Sequence, residues 1–192
     1  MKQLIGLTGG IGAGKSTVLA ELEGMGEKTV DSDEIVHDLY DSDNREVVQP
    51  LIQRYGRSIL TDNNRIDKKK IAQLVFNDPL ERNWLNSLIH PFVLRKIYEI
   101  AEDVNSRLFC SVPLLFEVGW QQKFDHTVAV WCDEKNQLYR LRRRGWSMQE
   151  IKGRKDSQMT MEEKNDLADF VLVNNCSIDV LRNQLNYYLG IL

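Results

Sequence analysis

The chain has 192 residues, 42% of them hydrophobic and 28% charged, with 25 Lys+Arg against 28 Asp+Glu for a formal net charge of -3. That size and balance describe one globular domain, or one core with insertions, and count against disorder, collagen-like repeats and coiled coil. The slight acidic excess argues against a general nucleic-acid surface, yet it leaves room for a local cationic site for phosphates.

Leu4-Ile5-Gly6-Leu7-Thr8 is a short apolar run ending in glycines, which predicts a buried strand. After Lys15 the pattern turns helical, with Val18, Leu19 and Leu22 on one face before Gly24 and Gly26. Lys28-Thr29-Val30-Asp31 predicts a second strand, and a short helix follows through Ile35, Val36 and Leu39. From 41 to 105 the chain is polar and helix-patterned, with Ile71, Leu74 and Val75, then Leu85, Leu88 and Ile89, then Val93, Ile97, Ile100 and Ala101 at helical spacing. His90-Pro91 is expected to interrupt it. Strand patterns resume at Leu108 to Leu115 and at Thr127 to Trp131, followed by a basic helix from Gln137 to Arg144. Phe170 to Val173 predicts a last strand, and Ser177 stands at the cap of a final helix carrying Leu181, Leu185, Tyr188 and Leu189. Strands alternating with helices imply a doubly wound parallel sheet.

Cys110, Cys132 and Cys176 are odd in number and show no metal spacing, which reads as thiols in a reducing cytosol. No stretch approaches the roughly 20 apolar residues of a membrane span. The glycine-rich start carries no A-x-A-like cleavage site, so a cytoplasmic location without a membrane partner is expected.

Gly9-Gly10-Ile11-Gly12-Ala13-Gly14-Lys15-Ser16 fits G-x-x-x-x-G-K-[ST] between an expected strand and an expected helix. In such a loop successive N–H groups turn toward phosphate oxygens, and the helix dipole adds positive potential. Lys15 would neutralise the β- and γ-phosphates and the Ser16 hydroxyl would ligate Mg2+. The D-x-x-G and N-K-x-D of a GTPase switch are missing, and a helical insertion suggests a pocket for a phosphoryl acceptor.

Asp31-Ser32-Asp33 falls at the carboxyl end of the second strand, where α/β sheets hold ligands. Its carboxylates suit a general base or a metal's water shell, and equally a helix cap. Arg140, Arg142, Arg143 and Arg144, continued by Lys152, Arg154 and Lys155, suit developing phosphoryl charge, or else a solvated or nucleic-acid-binding face. His90 fits a structural or a functional role, and Trp146 could touch a ligand from the basic stretch.

Six segments in order carry a broader likeness. They are the extended loop Ile5 to Thr17, Asp31-Ser32-Asp33-Glu34-Ile35, and Leu88-Ile89-His90-Pro91. Val112-Pro113-Leu114-Leu115-Phe116-Glu117 follows, then Gln137 and Arg140 with Arg154 and Gln158, and Ala168-Asp169-Phe170-Val171 through Asn174. Together they resemble the bacterial dephospho-CoA kinase family over almost the whole chain. The resemblance implies transfer of the ATP γ-phosphate to the ribose 3'-hydroxyl of dephospho-CoA, with Mg2+, in the last step of coenzyme A synthesis. It implies Asp33 as general base beside Lys15, and Arg140 as clamp on the transferring group. It also implies Gly9 to Thr17 and Asn174 around ATP, and Thr8, Asp33 and His90 around the acceptor. Residues 143–163 match a mobile lid with Arg143, Arg144 and Arg154. Between Gln137 and Ser147 the chain is one residue shorter than the common spacing, so Arg143 or Arg144 fills the second lid-arginine position. Val173 and Cys176 stand where members often have Asp and Gly.

The expected fold is therefore a P-loop α/β protein with a five-stranded parallel sheet flanked by helices, an all-helical substrate-binding insertion and a small helical lid. Residues 1–40 and 106–192 would form the core and 41–105 the insertion. The oligomeric state is open. The rivals are a P-loop kinase of another metabolite, such as a nucleoside monophosphate, and a nucleotide-dependent switch or RNA-binding module.

Overall fold

The computed structural model describes residues 2–41, 45–76 and 78–191. The chain runs through β1 (Gln3–Thr8), α1 (Lys15–Gly24) and β2 (Lys28–Asp31) into the helices α2 (Ser32–Asp41), α3 (Arg45–Tyr55), α4 (Lys68–Phe76) and α5 (Pro79–Glu102). It continues through β3 (Arg107–Ser111), β4 (His126–Trp131), α6 (Glu134–Arg143), α7 (Met148–Asp156), α8 (Met161–Leu167), β5 (Phe170–Val173) and α9 (Ile178–Ile191). Two compact units result, one of Met1–Asp31 with Ala101–Leu192 and one of Ser32–Ile100.

The first unit is built on a five-stranded sheet, parallel throughout, in the order β2-β3-β1-β4-β5. As the central strand, β1 is buried on both faces, which is why Leu4 to Leu7 is a continuous apolar run. Leu7 pairs with Ser111 on one side and Val128 on the other, and Asp31 also lies opposite Ser111, so β1, β2 and β3 end along one carboxyl edge. Ile5, Leu7, Val18, Leu22, Phe109, Val128, Leu172, Leu181 and Leu185 form the core between the sheet and α1 and α9.

All five expected strands are present, but the third stops at Ser111 rather than Leu115. Pro113 has no N–H to continue the ladder. The chain instead turns, with Leu115 N–H on Val112 O at 3.2 Å and Trp120 N–H on Leu115 O at 2.9 Å. The turned segment still buries Leu115 and Phe116, so its apolar character reflects packing and not pairing.

In the second unit the described residues form α2 to α5, a 3-10 turn at Arg57–Ile59 and a single bridge between Leu60 and Ile66. The expected break at His90-Pro91 does not occur, since α5 runs through Pro91. A proline inside a helix costs about 3 kcal/mol. Leu85, Ile89, Val93 and Ile97 form one buried stripe across it, and burying such side chains is worth about 1.5–3 kcal/mol each. Between α3 and α5, Arg54 donates to both Glu81 oxygens at 2.7 and 2.6 Å, Tyr55 donates to Glu81 at 2.6 Å, and the Arg54 guanidinium lies 4.4 Å over Trp84. Among the described residues no helix is long and apolar enough to cross a membrane.

Candidate active site

Strand β1 delivers the chain into Gly9–Gly14 and α1 starts at Lys15. Gly9 and Gly14 have φ of 147° and 105°, which favours glycine, and the space enforces it. A Cβ at Gly9 would lie 2.5 Å from Val130 O, and one at Gly14 would lie 2.0 Å from Asn174 Nδ2.

Every carbonyl from Gly9 to Gly14 has a donor. Lys15 Nζ donates to Gly9 O at 2.6 Å and to Gly10 O at 3.4 Å, and Ala13 N–H also reaches Gly10 O at 3.2 Å. Gln137 Nε2 donates to Ile11 O at 2.8 Å. Arg140 Nη1 donates to Gly12 O at 3.3 Å and Ala13 O at 2.9 Å, and Asn174 Nδ2 also donates to Ala13 O at 2.9 Å. Gly14 O accepts from Thr17 and Val18 at 3.0 and 3.1 Å. By contrast, the N–H groups of Ile11, Gly12 and Gly14 donate to no protein oxygen among the described residues. A backbone with its acceptors tied down and its donors open is a site for an anion.

The ties come from α6 and from the turn after β5. Asp133 caps α6 by accepting from Asn136 N–H at 2.7 Å, and Asn175 accepts from Asp133 N–H at 2.8 Å. Gln137 and Leu141 form the buried stripe of α6, with Arg140 half-buried beside them. Both terminal nitrogens of Arg140 are on carbonyls, Nη2 reaching Asn174 O at 2.7 Å. Arg140 and Asn174 thus hold the carbonyl side of the loop. Thr8 is fully buried and donates to Pro113 O at 3.2 Å.

Pro113 O also accepts from Lys164 Nζ at 2.5 Å, and Lys164 is fully buried. The ammonium pairs with Glu117 Oε1 at 2.8 Å, an oxygen that also accepts from Met159 N–H at 2.9 Å. Burial lowers the Lys164 pKa and the Glu117 carboxylate opposes that shift. This cluster fixes the α7–α8 connection to the turn after β3, with Met161 so near Gly10 that a Cβ there would sit 2.8 Å from Met161 Cγ. Capping boxes start both helices, at Ser147 with Glu150 and at Thr160 with Glu163.

The other arginines of the basic stretch, Arg142, Arg143, Arg144 and Arg154, are exposed. Arg143 lies 5.8 Å over the Tyr139 ring and Arg154 4.4 Å over Trp146, while Arg144 is the C-cap that follows α6. Ser16 and Thr17 are exposed at the start of α1. Asp33 and His90 belong to the second unit. Asp33 is exposed in the first turn of α2, and His90 is half-buried on α5 with its pKa lowered by burial.

Two groups that matter to the loop are not singled out by residue chemistry alone. Gln137 has a signal, because a polar residue shares the buried stripe with Leu141 four positions on. Lys164 has none, since what permits its burial is Glu117 and a proline carbonyl from another part of the chain.

A phosphate loop opening from the central strand of a five-stranded parallel sheet defines a P-loop nucleotide-binding protein. The family model described as dephospho-CoA kinase matches residues 3–179. A dephospho-CoA kinase of Carboxydothermus hydrogenoformans is 37% identical over 187 residues, covering 95% of this chain and 90% of that one. A Thermus thermophilus crystal structure superposes with a TM-score of 0.85 at 33% identity, covering 99% of this chain and 97% of that one. A dephospho-CoA kinase from Campylobacter jejuni gives 0.70 at 26%, covering 99% and 96%. The chain belongs to the dephospho-CoA kinase family.

Proposed function

We propose that the chain transfers the γ-phosphoryl group of ATP to the ribose 3'-hydroxyl of dephospho-CoA, releasing coenzyme A and ADP as the last step of coenzyme A biosynthesis. The observation that carries the phosphate half is the loop itself, with its carbonyls held by donors and the N–H groups of Ile11, Gly12 and Gly14 without a protein acceptor among the described residues. Family membership carries the acceptor.

In this reading Lys15 leaves the Gly9 carbonyl for the β- and γ-phosphate oxygens. Asp33 takes the proton of the 3'-hydroxyl as its oxygen bonds to phosphorus and the bond to ADP breaks. Arg140 adds positive charge toward the transferring group, as the family resemblance implies, and steadies the loop that holds it. Positioning and electrostatics dominate, since a loose phosphoryl transition state asks little covalent help. Ser16 would hold Mg2+. An exposed hydroxyl at the helix start fits an ion that keeps most of its waters and takes few protein ligands. When bound, the ion would neutralise phosphate charge. His90 and Thr8 would serve the acceptor site, residues 41–105 would carry most of the acceptor, and 143–163 would act as the lid. The unpaired thiols of Cys110, Cys132 and Cys176 support a cytoplasmic setting.

The test is ADP release with dephospho-CoA against a panel of nucleoside monophosphates and against RNA. Turnover with dephospho-CoA alone supports the proposal, and none with it sinks the proposal. Asp33→Asn should bind both substrates yet lose roughly 10²- to 10⁴-fold in kcat. Near-normal turnover would remove Asp33 from the base role.

A further inference from the structure

In the second unit a cavity of about 370 Å³ lies at the end of α2, the start of α3 and the turn before α4. Tyr40 and Asp41 line it from α2, Arg45 and Gln49 from α3, and Asn64 and Arg65 from the turn. None of its lining residues belongs to the phosphate loop.

Asp41 supplies the one carboxylate of the lining, and that charge is already matched. Lys68 Nζ donates to Asp41 Oδ2 at 2.7 Å, and His37 Nε2 lies 3.2 Å from the same oxygen. The Asp41 carboxyl is held below its ordinary value by Lys68 first, with His37 and then Arg65 adding to the effect. The guanidiniums of Arg45 and Arg65 themselves form no hydrogen bond or ion pair among the described residues. Lys68, Arg45 and Arg65 thus stand against Asp41 alone, which leaves the cavity positive. The backbone beneath Arg65 is fixed, since Thr61 N–H donates to Arg65 O at 2.8 Å and Leu60 bridges Ile66.

Tyr40 adds a donor. It is only 9% exposed, and its hydroxyl has no hydrogen-bond partner among the described residues, yet it is not sealed from solvent. Burial pushes its pKa up to about 12, so the phenol keeps its proton. A buried phenol normally finds a partner, and one left without it at a cavity wall points to an acceptor on a ligand.

We propose that this cavity binds a diphosphate group, with one guanidinium on each phosphoryl unit and the Tyr40 hydroxyl donating to one of them. Guanidinium forks match phosphate oxygens, and two forks on separate elements suit two linked anions better than one. Two sources share that chemistry, the diphosphate bridge of dephospho-CoA and a free diphosphate-bearing metabolite acting as an effector. The first rests on the functional reading above. Tyr40 follows Asp33 by two turns of α2, about 10 Å along its axis, a length that a ribose with its 5'-diphosphate spans.

The test is an amide NMR titration of the full chain with inorganic diphosphate, which needs no turnover and so stands apart from the functional reading. Amides of Tyr40, Arg45, Gln49 and Arg65 should shift in the wild type. Arg45→Gln/Arg65→Gln should weaken that binding by roughly tenfold or more, as for lost charge-assisted hydrogen bonds, and Tyr40→Phe by a smaller factor. No shift at these amides in the wild type overturns the proposal without any variant. Undiminished affinity in the double variant overturns it too, and if that variant does not fold, Arg65→Gln alone is judged in the same way. Steady-state kinetics then separates the sources. If the bridge of dephospho-CoA is the ligand, the double variant should raise its KM by roughly tenfold or more with kcat held. If a free diphosphate is the ligand, KM for dephospho-CoA should stay as in the wild type.

Discussion

Arg140 and Arg143 sit on the same helix and use the same charge in opposite ways. Arg140 is half-buried and spreads its guanidinium over the carbonyls of Gly12, Ala13 and Asn174. Arg143 and, beyond it, Arg154 are exposed and rest on the faces of Tyr139 and Trp146. Hydrogen bonds to three carbonyls are directional, and they hold both ends of the contact. A cation over a ring in solvent is a broad, shallow contact of about 0.5–1 kcal/mol. The first arrangement makes a brace. The second leaves a side chain that can exchange an aromatic face for a phosphate oxygen at little cost.

The sharpest way to break this contrast is Arg140→Met. It should lower kcat/KM by roughly 10²- to 10³-fold, about 3–4 kcal/mol. As a brace its loss should also weaken ADP binding in calorimetry, although ADP has no γ-phosphate. Unchanged ADP affinity with fallen kcat would make Arg140 a clamp alone. Lys164→Met strands Glu117 and should cost about 3–5 kcal/mol in urea unfolding, with most of it recovered when Glu117→Gln is added. A single-variant loss below about 1 kcal/mol would mean that the pair does not anchor the α7–α8 connection. Arg154→Ala should change stability by about 0.5 kcal/mol or less, yet reduce turnover. The reverse pattern, a large drop in Tm with full activity, would make Arg154 a structural residue.

The smallest effect tests a brace in the second unit. Arg54 first, then Tyr55, hold the Glu81 carboxyl at about 2, against an ordinary value of 4.5. A depressed carboxyl stabilises the fold fully above its unfolded value, and that contribution is lost as pH falls from about 4.5 toward 2. Glu81→Gln should flatten the pH dependence of the urea midpoint in this window. An unchanged slope would show that the contact does not persist in solution.

The strands and the phosphate loop were legible because their signals are local. An apolar run, a glycine pattern and a Lys-Ser pair suffice, and the loop forms between β1 and α1. Where the pattern misled, a long-range contact decided. Leu114 and Leu115 look like strand residues because they are apolar, yet after Pro113 the chain turns and they serve packing instead. The break expected at Pro91 is overridden by a buried stripe on both sides of it. The duty of Arg140 in the loop was hidden for another reason. Its partners are backbone carbonyls, which every residue carries and no motif marks. Lys164 is the extreme case, a lysine whose sequence neighbours say surface and whose partner says interior.

The phosphate loop is tethered at its carbonyls, while the amides of Ile11, Gly12 and Gly14 donate to no protein oxygen among the described residues. Order and protection are therefore uncoupled in this segment. A hydrogen-exchange map of the empty protein would show these amides exchanging fast, the usual mark of a floppy loop, although their backbone is held still. Slowing upon nucleotide binding would then report occupancy rather than folding of the loop, which makes these amides an internal gauge of how much of the protein is carrying phosphate.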